Sequence, residues 1–126
     1  MQEPAAELVS YQVTVTTSDI RKAGTDAAVY VDLIGQERRS GQWWLEPEGA
    51  NPFNRASIDV AHVECLSLGD LTRCRIGHSN QGLGSGWHLA SVLVEDTREG
   101  GASWTFPCDK WLDRHEGVER LLAPLQ

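Results

Sequence analysis

A glycine-rich loop is the part of this sequence best suited to hold a ligand. It occupies residues 75–89, contains four glycines and joins two strand-like segments. Glycine adopts backbone angles that other residues reach only at a cost, so such a loop turns tightly and gathers carbonyl oxygens in one place. This arrangement binds a hard cation such as calcium, and it also serves as a plain connection between strands. The loop alone leaves both interpretations open.

Residues capable of catalysis are present, but their spacing matches no catalytic motif. No serine occupies a Gly-x-Ser-x-Gly nucleophile elbow, and Gly84-Ser85-Gly86 is too short a match. The alternating glycines that begin at Gly82 are no dinucleotide fingerprint, because no helix is predicted after them. Cys-x-x-Cys and His-x-x-x-His spacings are absent from the sequence, which argues against a zinc site. We therefore expect no enzymatic activity and no small-molecule substrate.

The composition predicts a single acidic globular domain. The chain has 126 residues, 40% of them hydrophobic, which suits one core rather than two domains. The net charge of -7 disfavours nucleic acid and anionic lipid, although bound calcium would reverse that repulsion locally. No apolar run approaches the roughly 20 residues of a membrane-spanning helix.

The N-terminal segment and the cysteines bear on localisation. Residues 1–9 have neither a basic patch nor an apolar stretch, so we predict a disordered lead-in rather than a signal peptide. Cys65, Cys74 and Cys108 lie in apolar, strand-like settings, which favours reduced thiols over a disulfide framework. We expect a cytoplasmic protein that associates peripherally with a membrane.

Apolar and polar residues alternate with a period of two along most of the chain, as is typical of half-buried β-strands. The pattern predicts strands at residues 11–16, 29–33, 43–45, 58–63, 72–78, 87–96, 103–106 and 119–122. Residues 66–71 form one helical turn at most. Short strands at this spacing predict an all-β fold, an antiparallel β-sandwich.

Six motifs, in order along the chain, resemble the PLAT domain, which is also called the lipoxygenase-homology domain. They are residues 11–17, 23–31, 51–55 with Asp59, 68–71, 75–89 and 104–112. Each motif is weak alone, but together they are specific and define one domain over residues 10–123. The resemblance implies an eight-stranded sandwich of two four-stranded sheets. It also implies a non-catalytic module that docks onto membranes or partner proteins, in many members with calcium held by loops at one end.

Three loops contain the oxygen ligands that the resemblance implies for calcium. The candidate ligands are Asp19, Gly24, Thr25 and Asp26 in the first loop, Glu48, Asn51 and Asn54 in the second, and Asn80 and Ser85 in the third. His78 lies in the glycine-rich segment that contains the third loop. We expect it to orient that loop rather than to bind metal.

The candidate site has fewer carboxylates than the strongest calcium binders of the family. Pro52 and Asn54 flank Phe53, and Ser85 precedes Gly86, at positions where strong binders often have acidic residues. Because the number of carboxylates controls affinity, we expect either binding of micromolar-to-millimolar affinity or one calcium site rather than two. The alternative is that Asp26 and Asn51 only cap turns.

Five residues are candidates for contact with a membrane or a partner protein. They are Trp111, Trp43, Ile20, Arg21 and Leu83. The position of Trp111 is one where related lipoxygenase domains use an exposed aromatic residue, and tryptophan suits the bilayer interface. The aliphatic surface at the tips of the loops, at Ile20 and Leu83, is small, so any membrane contact is expected to be weak and assisted by calcium.

The remaining tryptophans are assigned from the strand pattern. Trp43 and Trp44 are adjacent in a strand and must face opposite sides, so one of them is a candidate for exposure. Trp87 and Trp104 are predicted to lie in the core.

Three functions compete at this point. The leading hypothesis is a calcium-responsive targeting module that docks onto membrane lipid or a partner protein. The alternatives are a calcium-independent protein-interaction domain and a regulatory accessory domain of a lipase or lipoxygenase.

Overall fold

The computed structural model describes residues 7–82 and 85–125, and these residues form eight β-strands. The strands are β1 (Leu8–Thr17), β2 (Val29–Gly35), β3 (Arg39–Trp44), β4 (Ile58–Leu66), β5 (Leu71–His78), β6 (Trp87–Asp96), β7 (Ser103–Leu112) and β8 (Glu119–Leu122). The all-β prediction is confirmed. No helix, and so no helix able to cross a bilayer, occurs in the described residues.

The strands form two four-stranded antiparallel sheets. The first sheet has the order β4-β1-β6-β7, and the second has the order β3-β2-β5-β8. This confirms the predicted sandwich of two four-stranded sheets. Strands β3 and β4 are edge strands of different sheets, and they contact each other on one side of the sandwich.

The core follows from the alternation in the sequence. Val13 and Val15 of β1 point inward against Val92 and Val94 of β6, and all four are fully or almost fully buried. Trp87 is completely buried, as predicted, and its Nε1 donates a hydrogen bond of 2.9 Å to Thr17 Oγ1. Burial of each such apolar side chain contributes about 1.5–3 kcal/mol to the free energy of unfolding.

All strands except β6 and β8 differ in extent from the sequence prediction, and β2, β4 and β5 are longer by only one to three residues. Strand β1 begins at Leu8, within the predicted lead-in, because Leu8 and Val9 pair with Leu66 and Cys65 of β4. Strand β7 continues six residues beyond the predicted end at 106, since Pro107 lies in an edge strand beside a register shift. Proline is tolerated there because its missing N–H is not needed by a further strand.

The remaining differences concern a short strand and a turn. Strand β3 occupies Arg39–Trp44, so it starts earlier than predicted and ends one residue sooner. Residues 67–70 are a loop without a helical turn. The loop is fixed by the Leu68 backbone N–H, which donates 2.9 Å to the buried Tyr11 hydroxyl.

All three cysteines are unpaired, in agreement with the prediction. Cys74 is fully buried, and this burial raises the pKa of its thiol to about 12. Cys65 and Cys108 are half-buried, and their pKa values are raised for the same reason. The thiols are therefore protonated and unreactive at neutral pH.

Candidate functional site

Thr25 ties together the three loops that the sequence analysis singled out. Its backbone N–H donates 3.0 Å to the Phe53 carbonyl of the β3–β4 loop. Its hydroxyl donates 2.7 Å to the Ser85 carbonyl of the β5–β6 loop and accepts from the Ala27 N–H at 3.1 Å. Thr25 is 4% exposed. The three loops thus meet at one end of the sandwich.

Gly24 allows the first two loops to pack backbone against backbone. A Cβ atom at this position would lie 2.8 Å from the Arg55 backbone nitrogen and 3.0 Å from the Asn54 Cα. These distances are shorter than carbon–nitrogen and carbon–carbon contacts permit. The close approach requires glycine, so the role of Gly24 is steric as well as that of a candidate ligand.

An aromatic contact and a carboxylate hold the β3–β4 loop in place. Phe53 is buried and packs edge-on against Trp87, with ring centroids 5.7 Å apart. Asp59 Oδ2 accepts hydrogen bonds from the Phe53 N–H at 2.8 Å and from the Ser57 hydroxyl at 2.7 Å. Asp59 therefore shapes the loop, and its charge is already used within the protein.

Two adjoining clefts lie where these loops meet. One is lined by Gly24, Thr25, Asp26, Asn54 and Arg55, and the other extends from Asp26 to Asn51. Asp26 is exposed, and Asn51 adopts a left-handed backbone conformation with a φ of 56°. The structure brings together Asp26, Asn51 and Asn54 from the candidate ligand set.

Polar atoms of the β5–β6 loop form hydrogen bonds with one another. Ser85 Oγ donates 2.8 Å to Asn80 Oδ1, and the Asn80 N–H donates 3.0 Å to His78 Nδ1. His78 Nε2 lies 2.8 Å from the Leu112 carbonyl, so this nitrogen carries the ring proton and donates it. Buried His78 therefore orients the loop and is not available to a metal.

Two candidate carboxylates do not join Asp26. Asp19 accepts a hydrogen bond from Arg55 Nε at 2.8 Å, and this exposed ion pair neutralises its charge. Glu48 lines a different groove, beside Trp43 and Trp44. Among residues 7–82 and 85–125, no group of three or more Asp, Glu, His or Cys side chains is placed to hold a metal.

The donor set at the loop end is therefore poor in carboxylates for a calcium ion. Asp26 would supply a carboxylate, and Asn51 and Asn54 would supply amide oxygens. Arg55 lines the same cleft and is paired with Asp19, so this pair adds no net negative charge that would attract a cation. Calcium requires six to eight oxygens, and the remaining ones would have to come from backbone carbonyls and water.

Three of the five predicted contact residues, Trp111, Ile20 and Arg21, lie at this end of the molecule. Trp111 is half-buried, packs edge-on against His88 with centroids 5.0 Å apart, and lines a pocket together with Lys22 and Gly86. Ile20 is 41% exposed and Arg21 is exposed in the first loop. Leu83 lies outside the described residues.

The adjacent tryptophans face opposite sides of β3, as predicted, and the exposed one is Trp44. Its side chain is 48% exposed and rests edge-on against Tyr30, with centroids 5.1 Å apart. Trp43 is half-buried against the core, and its Nε1 donates 3.2 Å to the Ser40 carbonyl. The register explains the difference, because Trp43 pairs with inward-facing Val31. Trp104 is likewise half-buried against the core.

A polar network on the second sheet escaped the sequence analysis. Tyr30 of β2 donates a hydrogen bond to Glu119 of β8, and Arg75 of β5 donates 3.0 Å to the same carboxylate. Burial, followed by the bond to Glu119, raises the pKa of Tyr30 to about 12. A Cβ at Gly77 would lie 2.5 Å from the Tyr30 hydroxyl oxygen. A glycine inside an alternating strand was the available signal of this close approach.

Comparison with known proteins identifies the family. Residues 11–123 match the family model of the PLAT/LH2 domain. The chain is 41% identical over 109 residues to Lipoxygenase homology domain-containing protein 1 of Mus musculus, covering 85% of this chain and 5% of that protein. It is 34% identical over 103 residues to human Polycystin-1, covering 81% of this chain and 2% of that protein.

Two solved lipoxygenase structures extend the comparison. A coral 8R-lipoxygenase, described as activated by calcium via a C2-like domain, superimposes with a TM-score of 0.80 at 25% identity, over 91% of this chain and 17% of that one. A calcium-dependent 11R-lipoxygenase gives a TM-score of 0.73 at 26% identity, over 92% and 17%.

The comparisons show which part of each relative this chain matches. It spans a small part of each relative, and its fold accounts for the accessory sandwich rather than for the catalytic part of a lipoxygenase. The family match, the two-sheet topology and the three converging loops agree with one another. The chain belongs to the PLAT/LH2 domain family.

Proposed function

We propose that this domain is a non-catalytic docking module that attaches a larger protein to membrane lipid or to a partner protein, with a weak response to calcium. The main observation in support of this proposal is that three loops converge on the cleft lined by Asp26, in a domain of this family. Calcium regulation described for two structurally similar lipoxygenases supports the choice of ion.

Asp26, Asn51 and Asn54 are the residues that would hold calcium. When bound, calcium supplies positive charge at one end of a protein whose net charge is -7. Thr25 and Gly24 hold the first two loops at the necessary distance, and His78 holds the third. The backbone geometry of the cleft is thus set before any ion arrives, which lowers the ordering cost of binding.

Docking would use the side chains around the same end. Ile20 is an exposed aliphatic residue there, Trp111 offers an amphipathic ring, and Arg21 and Lys22 offer phosphate contacts. Burial of one such aliphatic side chain contributes only about 1.5–3 kcal/mol before the costs of binding. This supports weak, peripheral and reversible attachment, consistent with a cytoplasmic location.

A calcium titration followed by thermal melting tests the calcium part of the proposal. An ion that binds only the folded state must raise the melting temperature. We expect millimolar calcium to raise it by a few degrees. Asp26→Asn should abolish the shift, whereas Asp70→Asn, at an exposed position in the β4–β5 loop, should retain it. No shift in the unmodified protein would exclude a calcium response.

Vesicle co-sedimentation tests the docking part. With calcium and phosphatidylserine vesicles, Trp111→Ala should reduce the bound fraction several-fold, because the ring's interfacial contribution is lost. Leu121→Ala removes a 51% exposed apolar side chain from β8 and serves as the control. Absence of vesicle binding in both the presence and the absence of calcium would leave a protein partner as the docking target.

The second candidate is a calcium-independent interaction domain. The Asp19–Arg55 ion pair favours it, because it neutralises one candidate carboxylate and places a guanidinium beside the cleft. A regulatory role toward an attached lipase or lipoxygenase is a special case of the same docking function.

A further inference from the structure

A groove runs between β3 and β4, which are edge strands of different sheets, and we call it the β3–β4 groove. It shares no residue with the loop-end clefts. It has a volume of about 540 Å³. One wall is formed by Trp43, Trp44, Glu46 and Glu48, at and beyond the end of β3, and the other is formed by residues 58–62 of β4.

The β4 wall is an edge strand with little protection against strand pairing beside the groove. Edge strands are normally kept short or blocked by charged residues, especially lysine, by proline or by a bulge. Strand β8 has four residues, and β7 contains Pro107, Lys110 and a register shift. Strand β3 contains Arg39, and its pairing is also irregular. Strand β4 has nine residues, no proline, lysine or arginine, and a regular register along β1. Its two carboxylates are Asp59, which is hydrogen-bonded within the protein, and Glu64, which does not line the groove.

The outward face of β4 is apolar where it borders the groove. Ile58 is 66% exposed and Val60 is 40% exposed, and they lie at alternate positions of the strand. Across the groove, Trp44 presents a ring that is 48% exposed. An added strand would find aliphatic neighbours on one side and an aromatic surface on the other.

The charges of the groove select a basic partner. Glu46 and Glu48 are exposed, and neither forms an ion pair with another described residue. The third acid, Asp59, is committed to the Phe53 N–H and the Ser57 hydroxyl. None of the described residues that line the groove is a lysine or an arginine. A cationic side chain placed here would meet two unpaired carboxylates and the face of Trp44, which is a favourable cation–π surface.

We propose that β4 and the adjoining groove bind an extended basic segment of a partner protein, which adds a fifth strand to the first sheet. Backbone hydrogen bonds to the free edge of β4 would supply affinity, and alternate side chains would supply specificity. Its apolar residues lie beside Ile58 and Val60, and its lysine or arginine residues lie between Trp44, Glu46 and Glu48. This surface functions whether or not the loop end binds calcium.

A labelled decapeptide of alternating lysine and valine is the probe, and a peptide with glutamate in place of lysine is its control. Fluorescence anisotropy should show saturable binding of the lysine peptide alone, weakening as salt is added. Amide NMR shifts should move at residues 58–62. A lysine peptide that fails to bind at millimolar concentration, or that moves other amides instead, overturns the proposal.

Matched variants locate the binding energy. Trp44→Ala should weaken binding by about ten-fold, and the double change Glu46→Gln with Glu48→Gln by about five-fold. Val60→Lys should block the edge by the device that natural edge strands use. The controls are Leu121→Ala and the double change Glu37→Gln with Glu99→Gln, at exposed positions elsewhere. Equal binding by groove variants and controls contradicts the proposal.

A second copy of this chain is the competing occupant of the edge. Sedimentation velocity over a range of concentrations distinguishes it, because pairing of β4 with itself would give a dimer that Val60→Lys dissociates. Such a dimer would overturn the assignment to a basic peptide. A monomer that binds the lysine peptide, with all variants melting cooperatively near the unmodified protein, supports it.

Discussion

The loop end and the β3–β4 groove both contain acidic and aromatic residues, yet they use them in opposite ways. At the loop end, Asp19 is paired with Arg55, and the Thr25 and Ser85 hydroxyls are consumed by hydrogen bonds between and within loops. In the groove, Glu46 and Glu48 are exposed, and none of the described residues forms an ion pair with them. A polar residue that holds loops together is less available to a ligand than one that holds nothing.

This contrast predicts that substitutions at the loop end act mainly on stability, whereas substitutions in the groove act mainly on binding. The changes below test that division, beginning with the largest expected effect on the free energy of unfolding.

Gly24→Ala should destabilise the fold by about 3 kcal/mol, because the new Cβ would press on the backbone of Asn54 and Arg55. Chemical denaturation measures the loss. Gly86→Ala is the matched control, since its Cβ would meet Asp113 at an ordinary 3.5 Å. Equal stability of the two variants would show that the loops yield easily and that their packing is not rigid.

Thr25→Val should cost about 2 kcal/mol at nearly constant volume. It removes the hydroxyl that donates to the Ser85 carbonyl and accepts from the Ala27 N–H, and leaves both groups without that partner. Thermal melting and hydrogen exchange at Ala27 measure the effect. Thr105→Val, on an exposed β7 position, is the control and should change stability little. A stable Thr25→Val protein would contradict the view that this residue joins the loops.

Tyr30→Phe should cost about 1 kcal/mol at neutral pH, because the bond to Glu119 is lost. The pKa of Tyr30 is raised from 10.0 to about 12, so the folded state holds this proton more tightly than the unfolded state. The stabilising contribution is therefore complete below about pH 10 and is lost as pH rises toward about 12. Denaturation curves across this range should show a smaller alkaline loss in the variant than in the unmodified protein.

Arg55→Gln should change stability by only about 0.5 kcal/mol, since its ion pair with Asp19 is exposed. It should nevertheless strengthen calcium binding several-fold, because it removes a positive charge from the cleft and releases Asp19. Isothermal titration with calcium measures this, with Arg38→Gln as the exposed control. An unchanged or weaker affinity would argue against calcium in this cleft.

The double change Glu46→Gln with Glu48→Gln should have the smallest effect on stability, within about 0.5 kcal/mol. Neither carboxylate forms an ion pair with another described residue, so the fold loses no internal contact of that kind. Urea denaturation of the double variant checks this expectation. A large destabilisation would mean that the groove, like the loop end, is part of the structural framework.

Much of the fold could be predicted from local pattern. Strands β6 and β8 were predicted with the bounds that the structure has, because period-two alternation records which side of a strand is buried. Complete burial of Trp87 follows from the same pattern. The pattern failed at β7, where Pro107 suggests an end, and only the edge position explains why the strand continues.

The candidate site was predicted less well. The sequence alone grouped Asp19, Asp26 and Glu48 as the available acids, and it offered Trp43 as a contact residue. The tertiary structure pairs Asp19 with Arg55, moves Glu48 to another groove and turns Trp44 outward instead. Alternation reports only whether neighbouring residues share a face. Which distant side chains meet depends on sheet order and register, and these are decided by packing between residues far apart in the chain.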